Sequence, residues 1–133
     1  MPYSVFGNEF SKLFSGNGNL TIKNIMSING FTGTDFQKTN FNDRKIFGSF
    51  IKNDSDKAKI TIHAKRGSYF LYRSGPVNRN QFIEIENKKF IMPITLDWTW
   101  IKLDGSALPE EFNFTLMDNG GSWGEWSAIA LIK

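Results

Sequence analysis

The sequence predicts an all-β protein, an antiparallel β-sandwich of about nine short strands with one short amphipathic helix at its N-terminus. The prediction rests on apolar residues that alternate with polar ones, on turn-forming residues at regular intervals, and on a helical period confined to the first residues. The 133 residues are 40% hydrophobic and 15% aromatic, which suffices for a core. A chain of this length is expected to form a single domain, residues 1–133.

The helix is predicted for residues 1–16 from the spacing of its apolar residues. They recur at i, i+3, i+7, i+10 and i+11, namely Tyr3, Phe6, Phe10, Leu13 and Phe14. Gly16 follows as a natural helix stop, although Gly7 weakens the helix. Because Phe6, Phe10, Leu13 and Phe14 share one face, they either pack on the sandwich or enter a bilayer, and they are the candidate membrane-contact residues.

The strands are clearest in two segments that alternate without interruption. In 58–65 the apolar residues Ala58, Ile60, Ile62 and Ala64 face one way, and in 111–117 Phe112, Phe114 and Leu116 do the same. Such alternation is typical of antiparallel sheets with one wet face. Further strands are predicted at 19–26, 45–51, 68–73, 81–85, 88–92, 94–103 and 125–132.

The two C-terminal tryptophans belong to a motif that has two precedents. Trp123-Gly124-Glu125-Trp126-Ser127 resembles the Trp-Ser-x-Trp-Ser box of cytokine receptors and the Trp-x-x-Trp site of thrombospondin-type repeats. Both occur in small secreted domains stabilised by disulfides, and this chain has no cysteine. Both families are therefore excluded, and no family is assigned.

The four tryptophans divide into two pairs. Trp98 and Trp100 continue an apolar row with Ile94, which favours the core, with a stacking platform for sugars or headgroups as the alternative. Trp126 opens the last strand and is expected in the core, beside the alternating Ala128, Ala130 and Ile132. Trp123 lies among glycines, so we expect it to be partly exposed and suited to sugar stacking or membrane contact.

Basic and aromatic residues interleave in the middle of the chain. Arg66, Tyr69, Tyr72, Arg73 and Arg79 form a cluster that suits an anionic group, and with the four tryptophans they are the candidate ligand-binding residues. The competing interpretation is a solvated sheet face whose charges protect the sheet edges. The net charge of +3 is too small to indicate a nucleic-acid partner.

Catalysis is not predicted. The chain lacks a nucleophile elbow, a phosphate-binding loop and a zinc signature. His63 is the sole histidine, predicted on an exposed strand face between lysines, so no metal site or cofactor is expected. No secretory signal or membrane-spanning run is recognised, which predicts synthesis in the cytoplasm and leaves release or association with a virion open.

Two function classes fit best. The first is a non-enzymatic recognition module that binds glycan or lipid headgroups, in the manner of a lectin or of a small pore-forming toxin. The alternative is a structural subunit of a phage or injection apparatus, in which identical chains bury their aromatic faces against each other. A homo-oligomer is compatible with both classes.

Overall fold

The computed structural model describes residues 4–5, 8–9, 19–31, 44–50, 57–77, 79–95, 97–103 and 107–132. The strands in these ranges are β1 (Ser4–Val5), β2 (Asn8–Glu9), β3 (Ile25–Asn29), β4 (Arg44–Gly48), β5 (Ala58–Lys65), β6 (Ser68–Ser74), β7 (Gln81–Ile85), β8 (Lys88–Ile91), β9 (Thr99–Leu103), β10 (Glu111–Asp118) and β11 (Ser127–Ile132). A single turn of 3₁₀ helix at Ile22–Asn24 precedes β3.

Nine of these strands form two antiparallel sheets, as the sequence predicts. The five-stranded sheet has the order β3-β5-β10-β7-β8, and the four-stranded sheet has the order β4-β11-β6-β9. The longest pairing joins β5 to β10 over eight residues, from Glu111 opposite Lys65 to Asp118 opposite Ala58. Both strands alternate strictly in sequence, so this register keeps all their apolar side chains on one face.

The core lies between the two sheets. The predicted inward residues of β5 and β10 are buried, with Ile60, Ile62 and Phe114 each 0% exposed. Phe114 stacks on Phe70 of the four-stranded sheet, with ring centroids 5.2 Å apart and planes 11° apart. Burial of each such side chain contributes about 1.5–3 kcal/mol, so this layer is the main source of stability.

Three of the connections that pass from one sheet to the other lie at one end of the molecule. The connections β6–β7, β8–β9 and β10–β11 all lie there, and we call the described parts of 75–80, 92–98 and 119–126 the loop end. Hydrogen bonds join them: Gly75 N–H donates to the carbonyl of Trp126, and Asn119 N–H to that of Asn80. The β6–β7 and β10–β11 connections are therefore bonded to each other, while the β8–β9 connection is bonded to Gln81 and Ser74 at the ends of the neighbouring strands.

The predicted N-terminal helix is wrong where the structure describes it. Ser4–Val5 and Asn8–Glu9 pair as antiparallel strands, and β2 contacts β9. Of the four residues described there, Val5 is β-branched and favours the extended backbone that it adopts. Phe6, Phe10, Leu13 and Phe14 lie outside the described residues. Among the residues described, no helix is long and apolar enough to cross a membrane.

Three further strand predictions need correction. The first strand begins at Ile25 rather than at residue 19, because the 3₁₀ turn occupies Ile22–Asn24. In β9 and β11 the inward face is the opposite of the predicted one: Ile101 and Ile129 join the core, while Trp100 points outward. β11 is buried on both faces, so its sequence is apolar on both sides and periodicity cannot assign the face. In β9 the outer face carries the half-buried Trp100, whose apolar ring made that face resemble the inner one.

Candidate functional site

A single turn carries the most exposed large apolar side chain of the described structure. Trp123 is 73% exposed, as its glycine-rich surroundings predict. The turn runs from Ser122 to Glu125 and is closed by a 3.3 Å hydrogen bond from Glu125 N–H to the Ser122 carbonyl. Gly124 occupies its third position with φ of +80°, which a type II turn requires and which side chains disfavour.

The carboxylate of Glu125 holds this turn from inside. Its Oε2 accepts hydrogen bonds from Gly121 N–H at 3.0 Å and Ser122 N–H at 3.1 Å, while Oε1 accepts from Asn80 Nδ2 at 2.8 Å. A Cβ on Gly120 would lie 2.5 Å from that of Glu125, so only glycine admits the carboxylate. The turn is fixed before any partner arrives, which lowers the entropy lost on binding.

A second buried carboxylate, Asp118, ties the base of the same loop to both sheets. Its Oδ2 accepts from Ser49 Oγ and its Oδ1 from Gln81 Nε2, both at 2.6 Å. The chain continues to Ser127 Oγ, which donates to Gln81 Oε1, and to the hydroxyl of Tyr72, 2.8 Å from Ser127. Bonds that end on an ionised acceptor are roughly twice as strong as neutral ones, so this network anchors the loop end.

The two carboxylates differ in their proton affinity. Burial raises the pKa of Asp118, an effect that the nearby charge of Glu125 increases and hydrogen bonds only partly oppose. Burial also raises the pKa of Glu125, but hydrogen bonds from Asn80, Ser122, Gly121 and the backbone of Arg79 outweigh it, so the net pKa is lowered. Glu125 is therefore the more firmly ionised acceptor, and it is the one that holds the Trp123 turn.

Two other exposed apolar side chains belong to the loop end or border it. Ile94 is 56% exposed and precedes Thr95, whose N–H and hydroxyl exchange hydrogen bonds with Ser74 at the end of β6. Ile91 is 51% exposed at the end of β8. With Trp123 they are three exposed large apolar side chains in or next to the loop end, and we call Trp123, Ile94 and Ile91 the apolar rim.

The remaining tryptophans lie on the outer face of the four-stranded sheet. Trp98 and Trp100 pack there against the buried Ile46, Leu71 and Ala130. The guanidinium of Arg44 lies 5.1 Å from the Trp100 ring centroid, and Tyr69 meets that ring edge-on at 5.1 Å. Trp126 is half-buried beneath Arg73, whose guanidinium is 5.9 Å from its ring. These predicted ligand residues are thus engaged within the protein.

Tyr72 is the one aromatic candidate that the structure moves to the interior. It was expected beside Tyr69 on a ligand-contacting surface, and that placement needs correction because Tyr72 is 0% exposed. Its side chain points into the core on the opposite face of β6 from Tyr69, and its hydroxyl belongs to the Ser127 network. It cannot reach a ligand from this position.

The basic candidates are spread over both ends of the molecule. Arg79 is exposed at the loop end. Arg66 lies at the opposite end, where its Nη1 donates to the Leu108 carbonyl at 2.9 Å. There a groove of about 290 Å³ is lined by Lys65, Arg66, Glu110 and Glu111. The predicted basic cluster is therefore not one site.

His63 borders this groove on the outer face of the five-stranded sheet. Its Nε2 is 2.9 Å from Glu111 Oε1, and its Nδ1 is 2.9 Å from Asn113 Oδ1. The hydrogen bond to Glu111 raises the pKa of His63 most, followed by that to Asn113, and the same pairing lowers the pKa of Glu111. With both ring nitrogens occupied by acceptors, His63 suits a cross-strand bridge better than a general base.

Metal binding finds no support in the part of the chain that the structure describes, where no three His, Asp or Glu side chains converge. Asp118 and Glu125 use their oxygens on N–H and O–H donors and are each 1% exposed. The arrangement is suited to holding a loop in place and to presenting its side chains.

The sequence interpretation missed both carboxylates and Gln81. The available signal was Glu125, the one charged residue in the stretch 119–132, placed between glycine and tryptophan where a solvated acid is unexpected. Comparison of the chain with family models, with curated proteins and with solved structures found no match.

Proposed function

We propose that the protein is a non-enzymatic recognition module that binds glycan or lipid headgroups through its loop end. The observation that carries the proposal is Trp123, an indole kept 73% exposed on a turn that a buried carboxylate locks in place. When a partner covers a side chain presented in this way, its burial makes the free energy of binding more favourable. Rigid, exposed aromatic anchors are typical of binding surfaces.

The proposal of a non-enzymatic role is supported by the chemistry of the titratable groups. The sole histidine has acceptors on both nitrogens, and the two carboxylates at the loop end are sealed from solvent. A general acid or base must reach a substrate proton, which neither arrangement favours.

A binding screen with three proteins tests the proposal. Wild type, Trp123→Ala and Pro109→Ala are applied to a glycan array and to vesicles of phosphatidylcholine with and without phosphatidylserine. Pro109 is the control because its side chain is exposed just before β10, at the opposite end of the molecule from the loop end. We expect Trp123→Ala to weaken binding about 10- to 100-fold, as hot-spot residues do, and Pro109→Ala to bind like wild type. Binding that is equal in all three proteins would refute the proposal.

Self-assembly is the second candidate, and the exposed edge of the five-stranded sheet favours it. β3 carries Met26 at 60% and Ile28 at 44% exposure, and an apolar edge strand is a template for pairing with another chain. We propose that an assembly subunit would join copies through β3. Light scattering tests this: a closed oligomer that Met26→Lys dissociates would support it, and a monomer at high concentration would contradict it.

A further inference from the structure

We propose that the surface contacted by the loop end is the interface of a bilayer that contains anionic lipid. This inference rests on the proposed function and specifies its partner. It follows from the apolar rim, from the charges around it and from the way the loop end is built.

The apolar rim fits lipid better than sugar. Of the five large apolar side chains that are clearly exposed in the described structure, three are Trp123, Ile94 and Ile91. Tryptophan favours the headgroup region of a membrane, where its ring is covered and its N–H stays hydrated. Isoleucine has neither a flat ring to stack on a sugar nor a polar side-chain atom to bond the hydroxyls of the sugar. Its transfer from water into an apolar phase is favourable.

Two exposed cations and one exposed acid are described near the loop end. Arg79 and Asp97 lie in its connections, and Lys57 directly precedes β5 at the same end of the molecule. Asp118 and Glu125 are buried and accept hydrogen bonds from donors inside the protein. An exposed cation beside an apolar rim is attracted to lipid phosphate, at about 1 kcal/mol per basic residue near an anionic membrane.

The groove and the apolar rim lie at opposite ends of the molecule. The 290 Å³ groove lies at the opposite end, between the close of β5 and the start of β10. Its lining is charged, with Lys65, Arg66, Glu110 and Glu111, and the rim side chains have no part in it. The rim side chains themselves are 51–73% exposed, and a side chain that enters a membrane interface must be accessible in this way.

Vesicle flotation with brominated-chain lipids tests the inference. We expect wild type to float with phosphatidylcholine–phosphatidylserine vesicles, and bromine to quench its fluorescence more than that of Trp123→Phe, because the other three indoles are half-buried. Ile94→Ser is expected to weaken binding at least about threefold, since an apolar side chain is lost from the acyl boundary. Pro109→Ala, at the opposite end of the molecule, is the control and should bind like wild type. Arg79→Gln should reduce only the dependence on phosphatidylserine.

The outcomes separate this inference from the proposed function. Binding to the glycan array but not to vesicles, abolished in Trp123→Ala, overturns the lipid partner and leaves the recognition role intact. Vesicle binding without any difference in bromine quenching between wild type and Trp123→Phe also overturns insertion of the rim. Failure to bind either surface overturns both proposals.

Discussion

Asn80 Nδ2 lies 2.8 Å from Glu125 Oε1, and this bond joins the β6–β7 connection to the turn that presents Trp123. The two residues are 45 positions apart, so the turn is held by tertiary structure and not by its own sequence alone. The fold therefore holds Trp123 in its exposed position, and the residues that hold its turn can be tested one by one.

Removal of the Glu125 carboxylate should destabilise the protein. Glu125→Ala leaves Gly121 N–H, Ser122 N–H and Asn80 Nδ2 without their acceptor, and we expect a loss of ~2–4 kcal/mol in the free energy of unfolding. Glu125→Gln keeps one acceptor oxygen and should lose less. Urea unfolding followed by circular dichroism measures both, and equal stability of Glu125→Ala and wild type would contradict the role assigned to Glu125.

Glycine is required at position 120 but not at its neighbour. Gly120→Ala places a Cβ 2.5 Å from the Glu125 Cβ, whereas a Cβ on Gly121 meets nothing within 4 Å. We expect Gly120→Ala to cost about 1–3 kcal/mol through overpacking and Gly121→Ala to stay within about 0.5 kcal/mol of wild type. The pair is compared by thermal unfolding, and equal melting temperatures would show that the loop adjusts freely.

Asp118 should give stability a pH dependence that Asp118→Asn removes. Because its native pKa is raised above 3.8, the native state holds this proton more tightly than the unfolded chain. The contribution of Asp118 to stability therefore falls as pH rises from about 3.8 through the native pKa. In urea unfolding, the free energy of unfolding of wild type should fall relative to that of Asp118→Asn as the pH rises over that window. A rise of the wild-type value relative to Asp118→Asn would refute the raised pKa of Asp118.

The His63–Glu111 pair should stabilise the protein most between pH 4.5 and 6.5, the ordinary pKa values of its glutamate and histidine. The raised pKa of His63 gives a contribution that is complete below 6.5 and lost as pH rises through the native value. The lowered pKa of Glu111 gives one that is present above 4.5 and lost on acidification. NMR titration of the His63 ring should show its pKa moving toward 6.5 in Glu111→Gln, and an unchanged pKa would mean that the pair does not form in solution.

The sequence predicts a strand and its inward face well where the other face of the strand is exposed to solvent. β5 and β10 expose one face, so the alternation around Ile62 and Phe114 identifies both the strands and their inward side. β11 is covered on both faces, so Ala130 and Ile129 look equally suited to the core and the predicted face is inverted. Apolar–polar alternation identifies the inward face of a strand only when the other face is exposed to solvent.

The candidate site divides in the same way. Exposure of Trp123 is predictable because glycines at 120, 121 and 124 mark a turn, and a turn seldom buries an indole. The roles of Asp118 and Glu125 depend on partners far along the chain, such as Gln81 and Asn80. The position of Glu125 between a glycine and a tryptophan indicates an unusual acid, but no local pattern identifies its partner 45 residues away.

Hydrogen–deuterium exchange of the bound protein can show whether the loop end is the contact surface. On the surface selected by the binding screen, exchange should slow in 75–80, 92–95 and 119–126 and stay unchanged in β3 and at the β7–β8 turn. Protection confined to the groove end, around Arg66 and Glu110, with none in 119–126, would show that the loop end does not make the contact.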